Sequence, residues 1–115
     1  MQLKFRYGHV DVGEGVRDSL ERRLRFALGR FGNQIARVTV RLAEPDPSQI
    51  HPVYRCKIAV QFARSGRMTV EDLDADLGTV INRITDRVGT SVLRELTRRH
   101  EQAARATNVA DGDES

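Results

Sequence analysis

The sequence predicts an α+β fold: one four-stranded mixed sheet with two helices on one face. Three observations predict it. Four short segments alternate apolar and polar residues with period two. Two longer segments repeat apolar residues at helical spacing. The order along the chain is β-α-β-β-β-α, and every strand has a single apolar side. Both helices therefore belong on that side, and the other sheet face stays open to water.

The first strand is Gln2–Tyr7, with Leu3, Phe5 and Tyr7 opposed to Gln2, Lys4 and Arg6. Gly8–Gly15 is a turn. The first helix covers roughly Glu14–Phe31 on the stripe Val16, Leu20, Leu24, Ala27, Leu28 and Phe31, and Gly32-Asn33 supplies a left-handed stop. In Arg37–Ala43, the second strand, Val38, Val40 and Leu42 point inward. Glu44–Pro52 contains all three prolines and is a loop. Val53–Phe62 is the third strand, with Tyr54, Cys56, Ile58, Val60 and Phe62 on one side. Ser65-Gly66 is a tight hairpin turn, and Arg67–Glu71 is a short fourth strand with Met68 and Val70 inward.

The second helix occupies residues 76–105, with Leu77, Ile81, Ile84, Val88, Val92 and Leu96 as its apolar stripe. Gly78 and Gly89 interrupt it, each costing up to ~1 kcal/mol relative to Ala. A right-handed crossover makes strands one and two parallel, and strands two to four form an antiparallel meander. Residues 1–103 form the domain. Residues 104–115 lack periodicity, end in Asp111, Asp113 and Glu114, and are expected to be a disordered acidic tail.

A chain of 115 residues with 39% apolar content suits a single core. No apolar run approaches the ~20 residues of a membrane span, and the strand-like start carries no export pattern. The chain is therefore expected in the cytoplasm. The one cysteine, Cys56, has no internal disulfide partner and fits a reducing compartment.

The net charge is only +3, but apart from Lys4 and Lys57 all nineteen cations are arginines. A GC-rich genome also enriches arginine, so position is the better evidence. Projected at ~100° per residue, Arg83, Arg87, Arg94, Arg98 and Arg105 fall within roughly 60° of one another, beside the buried stripe. Such a ridge suits a polyanion, although a solvated helix flank would look similar. The outward strand positions hold Lys4, Arg6, Arg37, Arg41, Arg55, Lys57 and Arg67 against one acid, Glu71. This is a second basic surface, or simply the polar face of an open sheet.

On the first helix, Glu14, Asp18 and Glu21 share a flank with Arg17 and Arg25. Arg22, Arg23 and Arg30 take the other flank, with Phe26 between them. Phe26 has two readings: it stacks on a base, or it packs under a neighbouring loop. The second is the more frequent fate of such a residue.

Catalytic patterns are missing from the sequence. His9, His51 and His100 lack Cys or His partners at metal-ligand spacing. There is no phosphate-cradling glycine loop and no nucleophile elbow. Asp72-Leu-Asp74-Ala-Asp76 starts like a calcium loop, but Leu77 stands where the turn glycine is required and Arg83 where the closing glutamate is required. Carboxylates ahead of the second helix cap it instead. No metal, cofactor, small-molecule substrate or membrane is expected, and the chain reads as a binding protein and not an enzyme.

Several stretches resemble the ribosome hibernation promoting factor family, which includes the ribosome-associated inhibitor and the sigma-54 modulation proteins. These are Met1-Gln-Leu, Val10–Phe31 with Val16-Arg17 at the helix entry, Arg37–Leu42, and Asp76-Leu77, Ile81-Asn82 and Asp86-Arg87-Val88 in the second helix. The likeness spans about residues 1–100. It implies a fold similar to double-stranded-RNA-binding domains and binding to the small ribosomal subunit and its rRNA near the decoding centre. It also implies translation inhibition under stress or in stationary phase, in bacterial cytoplasm, with a ribosome modulation partner. Carried over, the RNA-binding residues would be Arg22, Arg23, Arg30, Arg83, Arg87, Arg94, Arg98 and Arg99. The alternative is a protein-interaction or dimerisation module of the same fold, acting through the open sheet.

Overall fold

The computed structural model describes the backbone of residues 1–7 and 13–114, and all their side chains except those of 13, 14 and 107–114. Most of the turn expected over Gly8–Gly15, with His9, lies outside the described residues. The elements are β1 (Gln2–Tyr7), α1 (Gly13–Leu28), a 3₁₀ turn (Gly29–Gln34), β2 (Ile35–Ala43), β3 (Tyr54–Phe62), β4 (Arg67–Asp74) and α2 (Leu77–Glu114). The sheet order is β1-β2-β3-β4, with β1 parallel to β2 and the other pairs antiparallel. This is the predicted mixed sheet.

The core lies between this sheet and the two helices. Leu20, Leu24 and Leu28 of α1 and Val80, Ile84, Val88 and Val92 of α2 are fully buried against Val38, Val40, Ile58 and Val60. Each such aliphatic side chain contributes about 1.5–3 kcal/mol by leaving water. Cys56 sits in the same layer, where burial pushes its thiol up to about 12, so it stays protonated and serves as packing.

Among the boundaries that differ from the sequence expectation, three inside the domain have a visible reason. α1 ends at Leu28, not Phe31, because the chain tightens into the 3₁₀ turn, which still buries Phe31. The stop at Gly32 is in place, with φ of 38°. β2 begins at Ile35 because a bulge at Ala36 absorbs the break in alternation between Ile35 and Val38, both buried. β4 continues past Glu71 to Asp74, pairing Asp72 with Cys56 and Asp74 with Tyr54.

That extension matters. Strand alternation turns Asp72 and Asp74 toward the helix-covered face, where carboxylates need a partner. Arg83 of α2 supplies it. Its Nε and Nη2 donate to the Asp72 oxygens at 2.9 and 3.0 Å, and Nη2 lies 3.3 Å from Asp74 Oδ2. Only Asp76 is the expected helix cap, accepting from the Thr79 N–H at 2.8 Å and the Thr79 hydroxyl at 2.7 Å.

α1 and α2 meet at small residues: an added Cβ on Gly89 would lie 3.6 Å from Ala27 Cβ. The helix follows its backbone to Glu114, so residues 104–114, expected as a separate tail, continue α2. They run beyond the last wholly buried residue, Val92.

The 3.6 Å spacing is an ordinary van der Waals contact, so Gly89→Ala should stabilise the fold by up to ~1 kcal/mol through helix propensity. Gly89→Leu would overfill the same crossing and should cost about 1–3 kcal/mol. Urea denaturation of both variants checks the pair; a destabilising Gly89→Ala would show that the close approach is obligatory.

Candidate nucleic-acid interface

The arginines of the two helices fall into two sets by the contacts they make. Packing divides them into a cationic track along the helices and a set that fastens α2 to the sheet.

The track follows the groove between α1 and α2 and then continues along α2. Its first depression is lined by Arg22, Arg23, Phe26 and Asp86. The second shares Phe26 and Asp86 and adds Arg30, Gly89 and Thr90. The third shares Thr90 and adds Leu93, Arg94, Thr97, Arg98 and Glu101. The close approach at Gly89 and Ala27 forms the floor of the groove. Arg23 is held across it by a hydrogen bond to the Asn82 side chain, and the Arg30 guanidinium lies 4.8 Å from the Phe31 ring centroid. Among the described residues, Arg22 and Arg94 have neither a side-chain hydrogen bond nor an ion pair, so their guanidinium donors remain available.

Phe26 corrects the sequence expectation. No loop among the described residues covers it; the side chain is 91% exposed at the centre of the groove. Leu93 is half-exposed further along. Exposed apolar side chains thus alternate with arginines along the track.

Three of the eight carried-over residues lie off this track. Arg83 pairs with Asp72 and Asp74 and donates to the Leu73 carbonyl at 3.0 Å, while Arg87 donates to the Glu71 carbonyl at 2.9 Å. Together they satisfy outward-pointing carbonyls of the edge strand β4. Arg99 folds back toward the β3–β4 turn. It donates to the Ser65 carbonyl at 2.7 Å and to Glu95 at 2.9 Å, and it lies 4.3 Å from the Phe62 ring centroid. Gly66, at φ of 82°, leaves room for it; a Cβ there would come within 2.7 Å of the guanidinium.

Acidic neighbours set the local electrostatics. Partial burial raises the carboxyl of Asp72, but hydrogen bonds from Arg83 and the Leu73 N–H, with the charges of Arg83 and Arg87, outweigh it and hold it below the usual carboxylate range. Glu95, which sequence reasoning missed, is pulled down to about 2 by hydrogen bonds from Arg98 and Arg99. Arg98 therefore reaches the track with one charge already balanced.

The open sheet face holds the seven expected cations in register. Arg6, Arg41, Lys57 and Glu71 form one cross-strand row, and Gln2, Arg37, Gln61 and Arg67 another. Lys4 stands between these rows on β1. Arg55 reaches Glu71 at 3.7 Å.

A four-stranded mixed sheet with two helices on one face defines an α+β fold, here with a basic groove between the helices. No family model matches the sequence, and no curated protein matches it. Among solved structures, the N-terminal domain of Thermus thermophilus Protein Y superposes with a TM-score of 0.66 at 26% identity, covering 82% of this chain and 98% of that one. A ribosomal subunit interface protein from Coxiella burnetii gives 0.67 at 11% identity, over 84% and 99%. Both neighbours are of the ribosome hibernation (sigma-54 modulation) family that the sequence resembles, and this chain has their fold.

The depressed carboxyl of Glu95 implies a pH dependence. Its folded value of about 2 lies below the ordinary 4.5, so its stabilisation is complete above 4.5 and is lost as pH falls toward 2. The melting temperature should therefore fall between about pH 5 and about pH 2, and Glu95→Gln should show a shallower fall. Parallel slopes would remove this ion pair from the acid response.

Proposed function

We propose that this chain is a non-enzymatic, cytoplasmic ribosome-binding factor of the hibernation type. It would inhibit translation by occupying rRNA of the small subunit in the decoding region under stress or in stationary phase. The observation that carries this reading is the track from Arg22 to Arg98, which combines donors without internal partners, exposed apolar side chains and length. Guanidinium forks pair with phosphates and release counterions. The fold shared with Protein Y and the sequence resemblance support it.

Dimerisation through the open sheet is the rival reading, and its charges oppose it. Two copies packed face to face would bring the Arg6, Arg41 and Lys57 rows to ~10 Å. Each like-charge pair then costs about 0.4 kcal/mol even in water, and more once solvent leaves. A polyanion on that face would meet no such repulsion, so the sheet is kept as a secondary basic surface.

Affinity for the small subunit should fall by orders of magnitude between ~50 and ~200 mM salt. Arg94→Glu with Arg98→Glu should abolish co-sedimentation with the small subunit at ~100 mM salt, while Arg41→Glu with Lys57→Glu should weaken it less. A flat salt response would remove the electrostatic mechanism, and the reverse ranking would move the contact to the sheet. We also take residues 1–103 as the functional domain; a chain ending at Ala103 should melt within ~2 °C of the intact one.

A further inference from the structure

We propose that Phe26 is a stacking platform for one unpaired nucleobase of RNA, with Arg22 and Arg30 taking phosphates on either side. The inference rests on the RNA-binding reading above and names what the centre of the groove holds. Phe26 is 91% exposed, and the only large apolar side chain among the described residues as exposed, Ile50 at 90%, lies in the β2–β3 loop and not in the groove. It separates two depressions, and each has arginine at its outer end: Arg22 and Arg23 in one, Arg30 in the other. An aromatic face between cations matches the alternation of base and phosphate along a single strand. A duplex would not fit the same contact, because its bases are stacked internally. Protein partners are the weaker fit, since the rim is three arginines against one acid.

That acid is informative. Asp86 lines both depressions beside Phe26. As a carboxylate it only accepts hydrogen bonds, so it suits a base with an amino group at its edge. Cytosine offers N4–H₂; uracil presents a carbonyl oxygen in the same place and would be repelled. The site therefore prefers cytosine to uracil, and Asp86 is its specificity residue.

The test uses the full chain and RNA hexamers at ~50 mM salt, where phosphate contacts are strong. The probe carries 2-aminopurine at its centre, whose fluorescence reports stacking. Intact protein should quench the probe on binding, and so should Phe26→Trp. Phe26→Ala and Phe26→Leu should abolish the quench and weaken binding about tenfold. Both should melt like the intact protein, because the side chain supports no packing. A hexamer with central cytosine should bind better than one with central uracil, and Asp86→Asn should level the two.

A quench in Phe26→Ala equal to that of the intact protein overturns the proposal. So does a dimer in sedimentation equilibrium that Phe26→Ala dissociates, since the occupant would then be a second copy. The hexamer assay needs no ribosome. Small-subunit binding lost with a Phe26-dependent quench retained would overturn the ribosomal reading alone. Ribosome binding intact in Phe26→Ala, with no Phe26-dependent quench, would overturn the stacking site alone.

Discussion

The structure depends on one constraint: a sheet with a single apolar face must be covered by two helices lying side by side. α1 contributes three wholly buried leucines and α2 a row of β-branched residues, and neither stripe is wide enough to cover four strands alone. The helices must therefore touch. They do so where side chains are smallest, at Ala27 and Gly89, and the polar flanks on both sides of that contact become the walls of a groove. The candidate interface is thus a by-product of covering the sheet.

The same geometry explains why a ridge of arginines in the sequence does not stay a ridge in function. One flank of α2 faces the edge of β4, where backbone carbonyls lack strand partners. Arg83 and Arg87 are drawn to them, and Asp72 and Asp74 complete the attachment. An exposed ion pair is worth only ~0–1 kcal/mol. Arg83 is fixed more firmly than a single pair would fix it, because a bidentate fork, a second carboxylate and a carbonyl converge on one guanidinium. Beyond the sheet, Glu95 holds both Arg98 and Arg99. On the helices, the cations left for an external polyanion are then chiefly those without an acceptor among the described residues, Arg22 and Arg94 above all.

The fold was largely legible because periodicity is a local property. The apolar stripes of both helices and the inward sets of all four strands follow from spacing alone. What was hidden depended on residues far apart in sequence. Asp72 and Asp74 look like loop residues until Arg83, across the strand-to-helix turn, is seen to neutralise them. The alternation fails at Ala36, and only the pairing of Ile35 with Phe62 reveals that a bulge repairs it. A helical projection placed the arginines correctly on one side of α2, but it carries no information on which of them reach acceptors on β4. Arg83 and Arg87 meet β4, and Arg94, on the same side of the helix but further along, has no such acceptor among the described residues.

Phe26 shows the limit from the other side. The frequent outcome for a phenylalanine among arginines is cover by a loop, and the chain has a long loop, Glu44–Pro52, that could have served. That loop is instead folded on itself, with Asp46 accepting from the Ser48 N–H at 2.9 Å and from its hydroxyl at 2.7 Å. It joins β2 to β3, and α1 stays uncovered at Phe26. Burying a phenylalanine would contribute about 1.5–3 kcal/mol, so leaving it in water forgoes stabilisation that the fold could have used. Single exposed apolar residues are common and need no explanation on their own. One at the centre of a groove, between two arginine-lined depressions and beside an acceptor-only side chain, has a setting that packing does not account for and that ligand chemistry does.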